Sequence, residues 1–210
     1  RSQGFYMNGK LYILTGAEYI VFDGKDAKRV SDDTAYVPLT TYQSKPTGGG
    51  QSYESINMLC IYRKSRFVAD GSSNRVFVSG NSEFAATEWF SGLSDPTYFP
   101  DINYSVVGSS DFPIMCYVKA QGELLIIKQD NRQEGTIWHH ASTIVSETAA
   151  FPLKEGVPGY GAIARYSAAN LNDDPLYLSP RGVYAPTTTY NNNIVVRQLY
   201  CRSRRVNPKL

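Results

Sequence analysis

Four short stretches of the chain repeat one pattern, and that repetition limits the fold more than any other feature. They are Lys10-Leu11-Tyr12-Ile13-Leu14-Thr15-Gly16, Arg75-Val76-Phe77-Val78-Ser79-Gly80, Glu123-Leu124-Leu125-Ile126-Ile127-Lys128 and Pro175-Leu176-Tyr177-Leu178-Ser179-Pro180. Each is a brief apolar run that stops at a polar or Gly/Pro breaker. A second run follows each: Tyr19-Ile20-Val21-Phe22, Glu88-Trp89-Phe90, Thr136-Ile137-Trp138 and Gly182-Val183-Tyr184-Ala185. The starts, at Leu11, Val76, Leu124 and Leu176, lie 48 to 65 residues apart. A period near about 40–50 residues built only from short strands is the mark of radially repeated sheets. The expected fold is therefore all-β and β-propeller-like, with about four blade units visible. A closed ring of four would be small, so the propeller reads as incomplete. Residues 1–210 are expected to form one domain, with a loop at 44–54 and a short joint at 63–74 between blade units.

Turn chemistry sets the finer reading. Asn8-Gly9 and Asp23-Gly24 are hairpin signals, because Asn, Asp and Gly tolerate positive φ. Between them Lys10 to Phe22 gives two strands broken at Thr15-Gly16-Ala17. Thr34 to Tyr42 adds an edge strand, since Pro38 cannot donate to a ladder. Lys45 to Gly50 is a loop without the Gly-Lys-Ser/Thr ending of a phosphate-binding loop. Ser55 to Tyr62 and Arg75 to Ser79 are strands, joined through Arg63-Lys64-Ser65-Arg66 and a turn at Asp70 to Asn74. Ser91 to Phe112 is a long irregular stretch, and loops of that length inside a domain are often functional. Ile114 to Ala120 and Glu123 to Gln129 form a hairpin about Gln121-Gly122, followed by a strand from Ile137 to His140. Phe151 to Tyr160, with two Pro and two Gly, is a loop. Gly161 to Ala168 is read as a strand, Arg181-Gly182 as a hairpin turn, and Ile194 to Tyr200 as a late strand after Asn191-Asn192-Asn193. No segment sustains a 3.6-residue period, and at most one helical turn fits near Glu83 to Trp89.

A net charge of +2 does not suit a dedicated nucleic-acid binder. No apolar run approaches the 18 or so residues of a membrane-crossing helix. Cys60, Cys116 and Cys201 are odd in number and lack metal-ligand spacing, which points to reduced thiols and a reducing cytosol rather than to a metal or a disulfide. The chain opens at Arg1, already close to a strand, and reads as a fragment or processed product.

The candidate chemistry is sparse. His139 and His140, the two histidines, point to opposite faces if they share a strand, so they do not chelate one ion together. One is expected buried and one exposed. Asp95, Asp101, Asp111, Asp130, Asp173 and Asp174 sit at turns, where Asp is common for its own reasons. No catalytic, cofactor-binding or metal residue is assigned. Trp89, Phe90, Tyr98, Phe99 and Tyr104 cluster around the long loop and are the candidate partner-contact residues, because Tyr and Trp give large contact area at low entropic cost. Trp89 to Asp101 is the expected contact loop. Arg202, Arg204, Arg205 and Lys209 form a basic run that could meet nucleic-acid phosphates or a neighbouring subunit.

One succession of motifs is more specific. It runs Asn74-Arg75-Val76-Phe77-Val78-Ser79-Gly80-Asn81, then Trp89-Phe90-Ser91-Gly92-Leu93-Ser94-Asp95-Pro96-Thr97-Tyr98-Phe99-Pro100. Val106-Val107-Gly108-Ser109-Ser110-Asp111, Phe151-Pro152-Leu153-Lys154-Glu155-Gly156-Val157-Pro158-Gly159 and Asn172-Asp173-Asp174-Pro175-Leu176-Tyr177-Leu178-Ser179-Pro180-Arg181-Gly182-Val183-Tyr184 follow in order. This succession resembles β-propeller tail proteins of bacteriophages and prophages, similar to the tail-hub or DNA-stabilisation proteins of short-tailed phages. The resemblance runs from about Gly9 to Leu210. It implies a non-enzymatic virion component at the tail or head–tail connector, made in the bacterial host cytoplasm. Implied partners are other tail and connector proteins in a symmetric oligomer, with weak DNA contact and no membrane. It carries over no catalytic residue and no cofactor. Relatives can hold an extra β-module between the strands equivalent to Ser55–Tyr62 and Arg75–Ser79, where this chain has only a short joint. The alternative is a carbohydrate-binding or glycan-cleaving propeller acting in host-receptor recognition, for which Asp or Glu gathered with Tyr or Trp around one open mouth would be the sign.

Overall fold

The computed structural model describes residues 2–15, 18–33, 56–63, 74–80, 84–97, 99, 102–120, 122–131, 133–146, 148–191 and 194–204. The expected edge strand at Thr34 to Tyr42, the Lys45 to Gly50 loop and most of the 63–74 joint lie outside them. The chain divides into two compact units: residues 1–106 with 144–149, and residues 107–143 with 150–210.

In the first unit, β1 (Gln3–Met7), β2 (Lys10–Leu14), β3 (Tyr19–Phe22) and β4 (Ala27–Arg29) form a four-stranded antiparallel sheet in chain order. Asn8 (φ 52°) and Gly9 (φ 75°) make the β1–β2 turn, with positive φ at both central residues as the Asn-Gly pair predicts. At the next turn the Asp23 carboxylate accepts from the Lys25 and Asp26 amides, both at 2.9 Å. Those two bonds hold the Asp23 carboxyl below its usual range. A single helical turn, α1 (Val30–Asp33), follows and buries Val30. A second sheet, again in chain order, holds β5 (Ile56–Arg63), β6 (Asn74–Gly80), β7 (Thr87–Phe90) and β8 (Tyr104–Val106).

Alternation selects the core. Phe5 and Met7 on β1, Tyr12 and Leu14 on β2, and Tyr19 and Val21 on β3 point inward. Phe5 lies opposite Tyr12, and their rings stack at 5.3 Å and 14°. These residues form one cluster with Val76, Val78, Trp89 and Phe99. The Tyr19 hydroxyl, buried in it, donates to the Pro96 carbonyl at 2.8 Å, which satisfies the phenol and ties the long loop down.

The second unit repeats the plan. Its strands are β9 (Ile114–Ala120), β10 (Glu123–Lys128), β11 (Ile137–Ala141), β14 (Leu153–Glu155), β15 (Ala169–Leu171), β16 (Asp174–Ser179), β17 (Gly182–Asn191) and β18 (Ile194–Cys201), while β12 (Thr143–Val145) and β13 (Thr148–Ala150) fall mostly within the 144–149 segment grouped with the first unit. One sheet runs β9–β10–β11–β14, the small β12–β13 hairpin interrupting the chain between its last two strands. The last sheet runs β15–β16–β17–β18. The protein is thus all-β, as the repeat pattern predicts, and its described residues form four antiparallel four-stranded sheets besides the β12–β13 hairpin.

Six short strands depart from the sequence reading: β4, β12 and β13 fall where no strand was expected, and β8, β14 and β15 depart as follows. β8 lies inside the stretch taken as irregular, and β14 inside the Phe151 to Tyr160 loop. The strand expected over Gly161 to Ala168 is instead irregular apart from an isolated parallel bridge at Ala162, and the ladder begins at Ala169. These strands are three residues each, mostly exposed, and carry no buried alternation. Their longer neighbours supply the pairing. Within Glu83 to Trp89, Phe84 lies in a 3-10 turn that continues through Ala85 and Ala86, β7 then covers Thr87 to Phe90, and a separate α-helical turn lies at Val30–Asp33.

The strongest apolar runs become central strands. In β10, Leu124, Leu125, Ile126 and Ile127 are all buried, although consecutive side chains face opposite sides. In β6 the same holds for Val76, Phe77 and Val78. An antiparallel strand buried on both faces belongs to a sheet covered on both sides, not to one open to solvent.

Candidate functional site

The residues expected to contact partners separate by burial. Trp89 and Phe99 are fully buried in the core of the first unit, Trp89 edge-on to Phe84 at 5.9 Å and 70°. This corrects the reading of both as surface: their areas are spent on packing, and they support the loop from beneath. Phe90 is half-buried between the Phe77 ring at 6.0 Å and the Arg75 guanidinium at 5.0 Å. Tyr104 stays 39% exposed on β8, beside Val106 at 47% and Ile102 at 84%. Those three carry the exposed apolar surface of this stretch. Tyr98 lies outside the described residues, as does Asp101.

Of the basic run, Arg202 is paired with Asp174 at 2.9 Å and lies over the Tyr200 ring, and Arg204 is exposed. Arg205 and Lys209 lie outside the described residues. Cys116 and Cys201 are free thiols.

Both histidines are buried, His139 at 5% exposure and His140 at 2%, correcting the expectation of one in and one out. Adjacent side chains of β11 face opposite sides, so both faces of the strand are covered here; within its sheet β11 lies between β10 and β14. His140 Nδ1 bonds the Phe151 carbonyl at 2.8 Å. His139 faces the other way, lining a depression of about 510 Å³ with Glu123, Lys154, Gly156 and Arg197. Its Nδ1 has no hydrogen-bond partner among the described residues. Arg197 Nη2 donates to both oxygens of Glu123 at 2.7 Å, tying β18 to β10.

Burial, then the positive charges of Arg197 and Lys154, push the His139 pKa down to about 4. The unfolded chain titrates this group near its ordinary 6.5. Below that value the unfolded state takes up a proton that the folded state refuses until about pH 4. Stability from neutral His139 is therefore full above pH 6.5 and is lost as pH falls toward 4. Thermal melts between pH 7 and 4 should show a falling midpoint, and His139→Phe should flatten that fall. An unchanged slope in the variant would refute the assignment.

The sequence reading did not single out Lys128. It closes β10, where the ladder to β9 shifts register, and its side chain is fully buried. The ammonium donates to the Val107 carbonyl, to the Ser109 carbonyl at 2.7 Å, and to the Glu134 carboxylate at 2.5 Å. Glu134 in turn accepts the Ser109 amide at 2.5 Å. Burial lowers the Lys128 pKa and the Glu134 charge opposes that shift. The group is structural: three acceptors fold the 107–111 segment around one cation.

Next to it opens a second cleft, of about 620 Å³. Its walls come from four places in the chain: Asp130, Asn131 and Glu134 after β10; Pro158, Gly159 and Tyr160; Pro180, Arg181 and Tyr184 around the β16–β17 turn; and Leu199 on β18. The floor is set by close backbone approach. Gln129 and Ala162 form a parallel bridge, and the Gly161 amide donates to Asp130 Oδ1 at 2.7 Å. A Cβ at Gly161 would stand 2.5 Å from the Asp130 nitrogen, so the crossing requires glycine there. The buried Tyr177 hydroxyl donates to the Tyr160 carbonyl, and burial raises its pKa. The Tyr160 and Tyr184 rings meet at 5.1 Å and 56°. Arg181 lies 4.8 Å over the Tyr160 ring and donates to the Tyr160 hydroxyl at 2.9 Å. Of these residues the sequence offered only Asp130 as candidate chemistry, as one of six turn aspartates.

Among the described residues, no group of three or more His, Cys, Asp and Glu is placed to hold a metal ion. No protein-family model matches the chain, and no curated protein matches it.

Proposed function

We propose that the four sheets are blades of a β-propeller, and that the chain is a non-enzymatic structural component of a phage or prophage particle. In this reading it is a tail or connector hub that docks neighbouring virion proteins and helps retain packaged DNA. The observation that carries the reading is the serial arrangement: four antiparallel sheets of four strands, three of them built from four consecutive strands and one interrupted only by a small hairpin. Burial of β6 and β10 on both faces supports it, because an interior blade is covered by a neighbour on each side. The motif succession from Asn74 to Tyr184, similar to that of phage tail hubs, supports the particle assignment.

Docking would use Ile102, Tyr104 and Val106, the exposed apolar side chains beside the buried Trp89–Phe99 support. In a symmetric particle, weak contacts repeated around a ring sum to firm attachment.

Mass spectrometry of purified particles, induced from the host that carries the gene, tests the assignment. The chain is expected among the virion proteins, with antibody label at the tail or head–tail junction. Its absence from intact particles would overturn the reading.

A further inference from the structure

We propose that residues 153–157 are a strap that lifts from β11 when His139 takes up a proton, while the rest of the sheet stays formed. The inference goes beyond a docking role, and it places the acid response of the second unit in one short segment.

The strap is held to β11 through backbone. Leu153, Lys154 and Glu155 pair with His140, His139 and Trp138. Beyond the ladder, the Gly156 amide donates to the Ile137 carbonyl at 2.9 Å, and the Ile137 amide donates to the Val157 carbonyl at 3.3 Å. Side chains anchor it weakly: Lys154 and Glu155 are exposed, and Leu153 and Val157 are half-buried. Segments with little buried side chain are the ones that open locally at low cost.

The strap also covers the imidazole. A Cβ at Gly156 would stand 3.4 Å from His139 Nδ1 and 2.8 Å from the Ile137 carbonyl oxygen, so the bare Cα of Gly156 lies against the ring. The ring is 5% exposed, and Nδ1 has no hydrogen-bond partner among the described residues. An imidazolium carries an N–H on both nitrogens, and each needs an acceptor or water. With the strap in place, a proton at Nδ1 would be a buried charge without a partner, which is costly. Lifting the strap lets water reach it.

The charges around the ring oppose protonation. Lys154 of β14 lies directly opposite His139 in the ladder and shares its face, and Arg197 of β18 lines the same depression. Glu123 of β10 lines it too, but both its oxygens accept from Arg197. Glu155 alternates to the opposite face, where its carboxylate lies against Gly135. His140, also on that face, is bonded to the Phe151 carbonyl. Lifting the strap therefore takes one cation away from His139 as it admits water. With the covered ring titrating at about 4 and an uncovered one near 6.5, acidification from pH 7 to 5 favours the open form by roughly tenfold to twentyfold.

Hydrogen exchange of the full chain at pH 7 and pH 5, corrected for the intrinsic pH dependence of exchange, is the test. Ordinary carboxylates remain mostly charged at pH 5, so the change reports histidine. The Ile137 and Gly156 amides are expected to lose protection by about tenfold to twentyfold, while amides of β9 and β10 keep theirs. His139→Phe should abolish the response. Gly156→Ala provides a second, independent variant: its Cβ would press on the Ile137 carbonyl, so the strap should be unprotected already at pH 7. The proposal is overturned if the strap stays protected at pH 5, if β9 and β10 lose protection in step with it, if His139→Phe still opens in acid, or if Gly156→Ala leaves the strap protected. Should His139→Phe fail to fold, the wild type and Gly156→Ala still decide. None of these outcomes depends on whether the chain is found in a particle.

Discussion

Lys128→Met is expected to destabilise the second unit by about 3–5 kcal/mol, the cost of leaving a buried partner charge uncompensated. Methionine fills much of the same volume but donates nothing. Glu134 then keeps its charge at 16% side-chain exposure without a cation, and the Val107 and Ser109 carbonyls lose their donor. For a chain of this size each kcal/mol shifts the melting midpoint by about 2–4 °C, so a fall of roughly 6–20 °C should appear. Lys128→Met with Glu134→Gln should recover part of the loss, because the double variant removes both charges together. Chemical denaturation and a thermal scan of the three proteins check this. A single variant that loses less than about 1 kcal/mol would mean the cation is not the organiser of the 107–111 segment. Hydrogen exchange gives a local readout: amides of that segment should lose protection first.

The second large effect belongs to the first unit. Trp89→Ala should cost about 3–5 kcal/mol, the range for deleting a large buried aromatic. The side chain is fully buried and packs with Phe84 and the Phe5–Tyr12–Tyr19 group. Removing it opens a cavity beneath the loop that Tyr19 pins at Pro96. Tyr104→Ala is the contrast, because that residue lies 39% exposed on the three-residue β8. It should leave the melt within about 0.5 kcal/mol of the wild type, as surface substitutions usually do. If both variants melt alike, the division into a buried support and an exposed contact face is wrong. If the docking proposal holds, only Tyr104→Ala combines a normal melt with weakened attachment to particles.

Much of the sheet plan was legible in the chain, and the reasons are local. Asn8, Gly9 and Gly122 adopt positive φ, which few residues do readily, and at Asn8-Gly9 the runs on either side then have one register that buries Phe5, Met7, Tyr12 and Leu14 together. The runs of β6 and β10 are apolar without alternation, which signals burial on both faces before any partner is known. β8, β14 and β15 could not be read, since exposed strands of three residues carry no pattern of their own. The error on the histidines followed from taking one face of their strand as open to solvent, whereas both faces are covered. Lys128 was hidden for a different reason. A lysine after four apolar residues looks like the point where a strand meets water, and only the fold reveals two carbonyls of the 107–111 segment and the Glu134 carboxylate waiting there. The cleft was invisible because Asp130, Tyr160, Arg181 and Tyr184 are brought together by the parallel bridge at Gln129–Ala162 and by two separate turns.

The central strand β10 has a consequence during synthesis. Before β9 and β11 close around it, Leu124-Leu125-Ile126-Ile127 is a short, uncharged, strongly β-forming segment, the kind that self-associates when left exposed. A charge stands at each end of it, Glu123 before and Lys128 after. In the nascent chain these two act as gatekeepers, repelling the stacked, in-register pairing that would bring like charges together. In the folded protein the same two residues are engaged elsewhere, Glu123 by Arg197 and Lys128 by Glu134. Protection against aggregation and stability of the finished sheet thus rest on the same pair of side chains, used at different times.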